Sequence, residues 1–151
     1  MDCPAWAKPI LESVPDQQNQ HHDRSLYDHS RAVADSFYGD DYMQIIGWLH
    51  DIGKPATFVV RPGKGGTFYH HAKESARLYA EHYGDKLGHA LILHHDCTIN
   101  PSKDLALELK GLGNDFLFKL EALIKSDIMA QSGFMRIEKL EKLSLFMSWT
   151  K

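Results

Sequence analysis

The chain has little sulfur chemistry to offer. Its two cysteines, Cys3 and Cys97, lie far apart and show no CxxC spacing. That excludes a cysteine-rich zinc motif or a paired redox centre, and two lone thiols in an intracellular chain are ordinarily reduced. Long apolar runs are missing as well, since no segment approaches the roughly 20 residues that span a bilayer. The opening stretch MDCPAWAKPILESVP carries proline and charge where a signal peptide needs an apolar centre. The expectation is a cytoplasmic protein with no membrane partner. Positive charge is not in excess: 17 Lys and Arg face 20 Asp and Glu, for a net charge of -3. Nucleic acid is therefore a disfavoured partner, although a local basic patch stays open. Repeats and low-complexity linkers are absent. With 151 residues, 43% of them hydrophobic, the chain fits one domain that buries about two-thirds of its unfolded surface.

What the sequence has in plenty is histidine. There are ten, and they are internal rather than gathered at one end as a tag would be: His21-His22, His29, His50, His70-His71, His82, His89 and His94-His95. Their placement follows from the helical pattern. Residues 1–22 read as an irregular arm with a short helix, and residues 23–151 as the domain proper. A helix is expected from Ser25, a suitable N-cap, to Phe37, with Leu26, His29, Val33 and Phe37 on one face. A second is expected from Asp41 to Asp51, stopped by Gly53 and Pro55, so that His50-Asp51 falls on its last turn. Residues 57–69 change character: Thr57 to Val60 and Thr67 to Tyr69 look extended around a PGKGG turn, which suggests a short hairpin or flap. Helices follow from Ala72 to Tyr83, Asp85 to His95, Leu105 to Lys110, Asp115 to Gln131 and Met135 to Trp149. The fold class is all-α.

Within these helices His29, His94 and Asp127 lie on the apolar side. A lone inward histidine is most often a hydrogen-bonded core residue, and a lone inward aspartate most often caps a helix or pairs with a cation. Several together change the balance, because a buried carboxylate costs several kcal/mol unless it is paired or binds a metal. Imidazoles and carboxylates from facing helices form a donor set for a divalent cation.

The order His29, then His50-Asp51-Ile52-Gly53-Lys54, then a histidine at 70 or 71, then His94-His95-Asp96, then Asp127 resembles the HD-domain phosphohydrolase superfamily over about residues 20–132. HDIGKP at 50–55 is its most specific piece. The stretches NQHHDRSLYDHS, FYHHAKESA and KSDIMAQS are similar to the HD unit of tRNA nucleotidyltransferases. The resemblance implies a single-domain helical HD bundle. It implies His29, His50, Asp51 and Asp127 as ligands of a first metal, with Asp51 able to bridge to a second. His71, favoured over His70 by the HAKESA stretch, and His94, with or without His95, would serve that second metal. Periodicity favours His94, while the resemblance allows both. The cofactor expected is one or two divalent ions (Mn, Fe, Co, Ni, Zn or Mg).

The function implied is hydrolysis of a phosphomonoester or phosphodiester by metal-activated water, with a phosphate-containing small molecule, a nucleotide first among them, as partner. Asp51, or a neighbour such as Asp96, would take the proton. Lys54 would hold phosphate, with Arg61, Lys64 and Lys73 behind it. His21-His22 read as surface residues more readily than as part of the site. Three other functions stay open: a di-iron oxygenase of HD type, a regulatory module that binds metal or nucleotide without catalysis, and a single-strand nuclease, whose basic groove is not visible here.

Overall fold

The computed structural model describes residues 1–151. Nine helices and one two-stranded hairpin follow one another: α1 Lys8–Glu12, α2 Leu26–Asp35, α3 Asp41–Leu49, α4 Lys54–Thr57, β1 Val59–Arg61, β2 Gly65–Thr67, α5 His71–Tyr83, α6 Lys86–Leu93, α7 Lys103–Lys110, α8 Asn114–Ala130 and α9 Arg136–Ser148. The all-α expectation, with a short hairpin near 57–69, describes this single compact domain. No helix is long and apolar enough to cross a membrane.

Side-chain caps account for four of the nine helix starts. Ser25 caps α2, its hydroxyl accepting from Asp28 N at 3.0 Å. Asp40 caps α3 through Met43 N at 3.1 Å, and Ser102 caps α7 through Leu105 N at 3.2 Å. Asp85 caps α6 through Leu87 N and Gly88 N while also accepting from the Tyr42 and Tyr79 hydroxyls. The stops come slightly earlier than periodicity suggests. Helix α3 ends at Leu49, so His50 and Asp51 sit just past it in a tightened turn, where Ile52 N bonds Leu49 O at 3.1 Å.

The hairpin is shifted from its expected register. The segment after Lys54 forms one more helical turn before β1, and the two glycines expected in the turn belong to β2. The arm explains the shift. Gln18 O accepts from Gly66 N at 2.6 Å, and a Cβ on Gly66 would stand 2.0 Å from Gln17 O. Only glycine lets the arm come this close. The arm is also anchored in the core, with Ala7, Leu11 and Val14 buried alongside Leu26, Leu49 and Phe146.

Helices α2 and α3 pack as one pair, α5 and α6 as another, and α8 touches α2, α6, α7 and α9. The approach of α2 to α3 depends on Gly47, whose added Cβ would lie 2.8 Å from Ala34 N and Cα. This closeness brings His29 and His50 to one place. Gly53 does the same for α5: it donates its N–H to Ser75 Oγ at 2.8 Å, and a Cβ there would stand 2.5 Å from Ser75 N and 2.6 Å from His71 O. Backbone cannot swing aside as a side-chain tip can. Gly53→Ala is therefore expected to destabilise the fold by about 1–3 kcal/mol, read by urea unfolding; an unchanged midpoint would mean that α5 is not held by this contact.

Candidate metal centre

Helices α2 and α8 and the turn after α3 bring His29, Asp127, His50 and Asp51 together in the interior, where His29 and His50 are 0% exposed and Asp51 2%. Their inner atoms form a compact set. His29 Nε2 lies 2.8 Å from Asp127 Oδ1, 3.3 Å from His50 Nε2 and 3.4 Å from Asp51 Oδ2. His50 Nε2 lies 3.2 Å from Asp51 Oδ2 and 3.3 Å from Asp127 Oδ1. Donors about 2.1 Å from a common cation are separated by about 3.0 Å in octahedral and about 3.4 Å in tetrahedral arrangement. The observed edges fall in and beside that interval, so the four residues fit a divalent metal as they stand.

The outer nitrogens of the rings say the same. His29 Nδ1 faces Ala130 O at 3.3 Å, and His50 Nδ1 faces Gly47 O at 2.6 Å. His71 Nδ1 faces Phe68 O at 2.9 Å, and His95 Nδ1 faces Ile92 O at 2.6 Å. A carbonyl oxygen has no proton to give, so each Nδ1 must carry one and donate it. Every neutral ring then points its bare Nε2 inward. Inward lone pairs 3.3 Å apart beside two carboxylates repel unless something positive sits among them. Metal-ligating histidines are oriented in this way.

A second group adjoins the first. Asp51 Oδ1, the oxygen the first group does not use, lies 3.2 Å from His71 Nε2 and 3.1 Å from His95 Nε2, and the two nitrogens are 3.3 Å apart. These three residues also fit a cation, and the Asp51 carboxylate is common to both sets.

His95, not His94, is the residue turned inward. Helix α6 ends at Leu93, and the next bonds tighten from His94 N to Ala90 O to His95 N to Ile92 O, four residues and then three. The tighter turn rotates residue 95 toward Asp51 and leaves His94 half-buried outside both groups. The preference for His94 drawn from periodicity is thereby corrected. Of the other pair, His71 opens α5 and reaches Asp51, whereas His70 is exposed in left-handed backbone at φ 67°.

Lys54 does not present a free ammonium. It is 3% exposed, and its Nζ is shared among Asp51 Oδ2 at 3.2 Å, Gln17 Oε1 at 2.7 Å and His22 Nε2 at 3.2 Å. An ammonium has three N–H donors, and all three are engaged. Its role is to neutralise and hold Asp51 and not, in this arrangement, to grip phosphate. Gln17 gave no signal in the sequence. His22 reads there as surface, yet its ring sits edge-on to His29 at 5.0 Å between centroids. The only available hint was its place at the head of the NQHHDRS stretch. Arg61, Lys64 and Lys73 are exposed, and Asp96 lies outside both groups.

The charges balance around a proton. Two carboxylates against one ammonium leave one negative charge. Burial opposes a charged His50, but Asp51 and Asp127 prevail and raise it to about 10. Burial likewise opposes ionised Asp51 and Asp127, and the surrounding cationic groups nonetheless hold both well below the ordinary carboxylate range. Burial, and then the neighbouring Lys54 ammonium, push His22 down to about 2, so it stays neutral and accepts from Lys54. No family model, curated protein or solved structure matches the chain.

Two expectations follow from this geometry. Removing the shared ligand by Asp51→Ala should empty the whole centre, whereas His95→Ala should cost at most the second ion and Asp127→Ala the first. Elemental analysis of the three variants distinguishes these patterns, and a full metal complement in Asp51→Ala would refute the arrangement. The second concerns pH. In the metal-free protein the raised His50 stabilises fully below its unfolded value of 6.5 and ceases to do so as pH rises through about 10. The lowered carboxylates stabilise above 3.8 and cease to do so in acid. Metal-free protein should therefore lose stability between pH 6.5 and 10. Protein loaded with a divalent ion should not, because the ion replaces the His50 proton. Urea unfolding of both forms at the two ends of that interval checks the difference.

Proposed function

We propose that the chain is a metal-dependent phosphohydrolase of the HD-domain type, acting on a phosphomonoester or phosphodiester of a small molecule such as a nucleotide. The observation that supports this most is the sharing of one buried carboxylate, Asp51, between two cation-sized donor sets built from residues in the HD-motif order. A divalent cation bound there would lower the pKa of a coordinated water and polarise a phosphoryl oxygen.

The protein's own groups divide the remaining tasks. His29, His50, His71 and His95 are locked in one tautomer by backbone carbonyls, so the centre is rigid before anything binds. Lys54 keeps Asp51 ionised. Asp51 itself is a poor proton acceptor, since both of its oxygens are engaged. Asp127 suits that task better. It meets both histidines through Oδ1 alone, and its side chain keeps 11% exposure at the edge of the centre. The proton acceptor we assign is Asp127 Oδ2, in place of Asp51 or Asp96.

Elemental analysis of purified, untagged protein, with a hydrolysis screen on bis-p-nitrophenyl phosphate and nucleotides across divalent metals, tests this reading. One or two equivalents of transition metal and metal-dependent phosphate release are expected. Bound iron with an oxygen-dependent reaction and no phosphate release would replace it by the oxygenase. Bound metal with no turnover of any kind would replace it by a regulatory module.

A further inference from the structure

If Lys54 is wholly occupied, another group must receive the anion. The buried donor sets open to solvent through few side chains. Among the first set only Asp127, with 11% side-chain exposure, reaches the edge; His29 and His50 are sealed. A ligand approaching the first set therefore comes past the C-terminal end of α8.

That end is crowded with polar connections. Ala130 O holds His29 Nδ1 at 3.3 Å. The next residue, Gln131, accepts twice: its side-chain oxygen from Lys139 Nζ at 2.7 Å, and its carbonyl from Arg136 Nη2 at 3.1 Å. Ser132 N donates to His21 O at 2.9 Å, and Ser132 Oγ to Gln20 O, which ties the arm to the same corner. The His21 ring lies edge-on to Phe134 at 5.1 Å. Two basic side chains and an imidazole are thus gathered one helical turn beyond Asp127.

We propose that this corner between α8 and α9 is an anion site, in which Lys139 and Arg136, with His21 beside them, hold a phosphate group of the ligand. The proposal deepens the phosphohydrolase reading and rests on it for the nature of that ligand. Three observations carry it. Neither cation is paired with a carboxylate; each is held only by neutral oxygens of Gln131, so its charge remains available. A buried N–H group of the corner itself, Arg136 Nε, is left without an acceptor. Such orphans cost about 1–3 kcal/mol each and are usually satisfied by something. Charge points the same way. With one divalent ion beside two carboxylates and the Lys54 ammonium, the centre itself would be net positive, and Lys139 and Arg136 add to it. Burial, with Arg136, lowers Lys139 from its ordinary range, and Asp127 offsets this only in part. The groove along α5 and α6 is a weaker candidate, because Arg77 there is already bound by Glu74 and Glu81.

The test uses inorganic phosphate, titrated calorimetrically into the full chain in manganese-saturated and metal-free forms. Lys139→Gln and Arg136→Gln are compared with wild type and with Lys142→Gln, a lysine farther along α9 whose ammonium donates to Ile99 O. Each of the first two variants should weaken phosphate binding to the manganese form about tenfold, the worth of one charge-assisted contact. Metal content and melting temperature should not change, and Lys142→Gln should bind as wild type. Where turnover is present, KM should rise by a similar factor with kcat within about twofold. Undiminished phosphate binding in both variants overturns the proposal, as does loss of metal from either. A wild type that hydrolyses no ester yet loses phosphate affinity on Lys139→Gln keeps the anion site and removes the phosphohydrolase reading instead.

Discussion

A single carboxylate, that of Asp51, lies where α2, α5 and the turns after α3 and α6 meet, and it is almost without solvent. Burying an ionised group costs several kcal/mol after relaxation, and the surrounding structure is arranged to offset that cost. Oδ2 faces His29, His50 and Lys54, while Oδ1 faces His71 and His95. The glycines at 47 and 53 make the arrangement sterically possible, because each allows one helix to approach another by its backbone. Backbone carbonyls at Gly47, Phe68, Ile92 and Ala130 then fix the rings. Fold and centre are thus one construction, in which the helices are spaced by what Asp51 requires.

The periphery is tied to the centre by short covalent distance. Asp127, Ala130, Gln131 and Ser132 follow one another within a turn and a half of chain. They contact in succession the inner histidines, a ring nitrogen, two basic side chains and the N-terminal arm. The arm participates as well, through Gln17 and His22 on the Lys54 ammonium.

Much of this was legible in the sequence. The helices declared themselves by capping residues and by a 3.6-residue apolar rhythm, and His29 and Asp127 were recognisable as polar interruptions of apolar faces. What periodicity could not give was the geometry beyond a helix end. His94 and His95 exchange roles because the chain tightens by one residue just after Leu93, and no face calculation on an ideal helix anticipates that. Lys54 looked like a phosphate ligand because its identity is written in the sequence while its neighbours are not. Gln17 and His22, which occupy it, are 37 and 32 residues away. The hairpin register was missed for the same reason, since the glycines answer to the arm and not to a turn of their own.

The strap of residues 17–22 has a consequence for how the protein is made. It is synthesised before Ser132, which holds Gln20 and His21 and lies 112 residues downstream of Gln20. His29 likewise waits for Asp127, 98 residues later. Contacts of such long sequence separation form late, because loop closure must precede their reward. The first helices are therefore synthesised with a histidine-lined face open, and that face closes only when the last third of the chain arrives. Until then the nascent protein displays unpaired imidazoles to whatever free metal the surroundings contain, so loading and folding compete for the same interval.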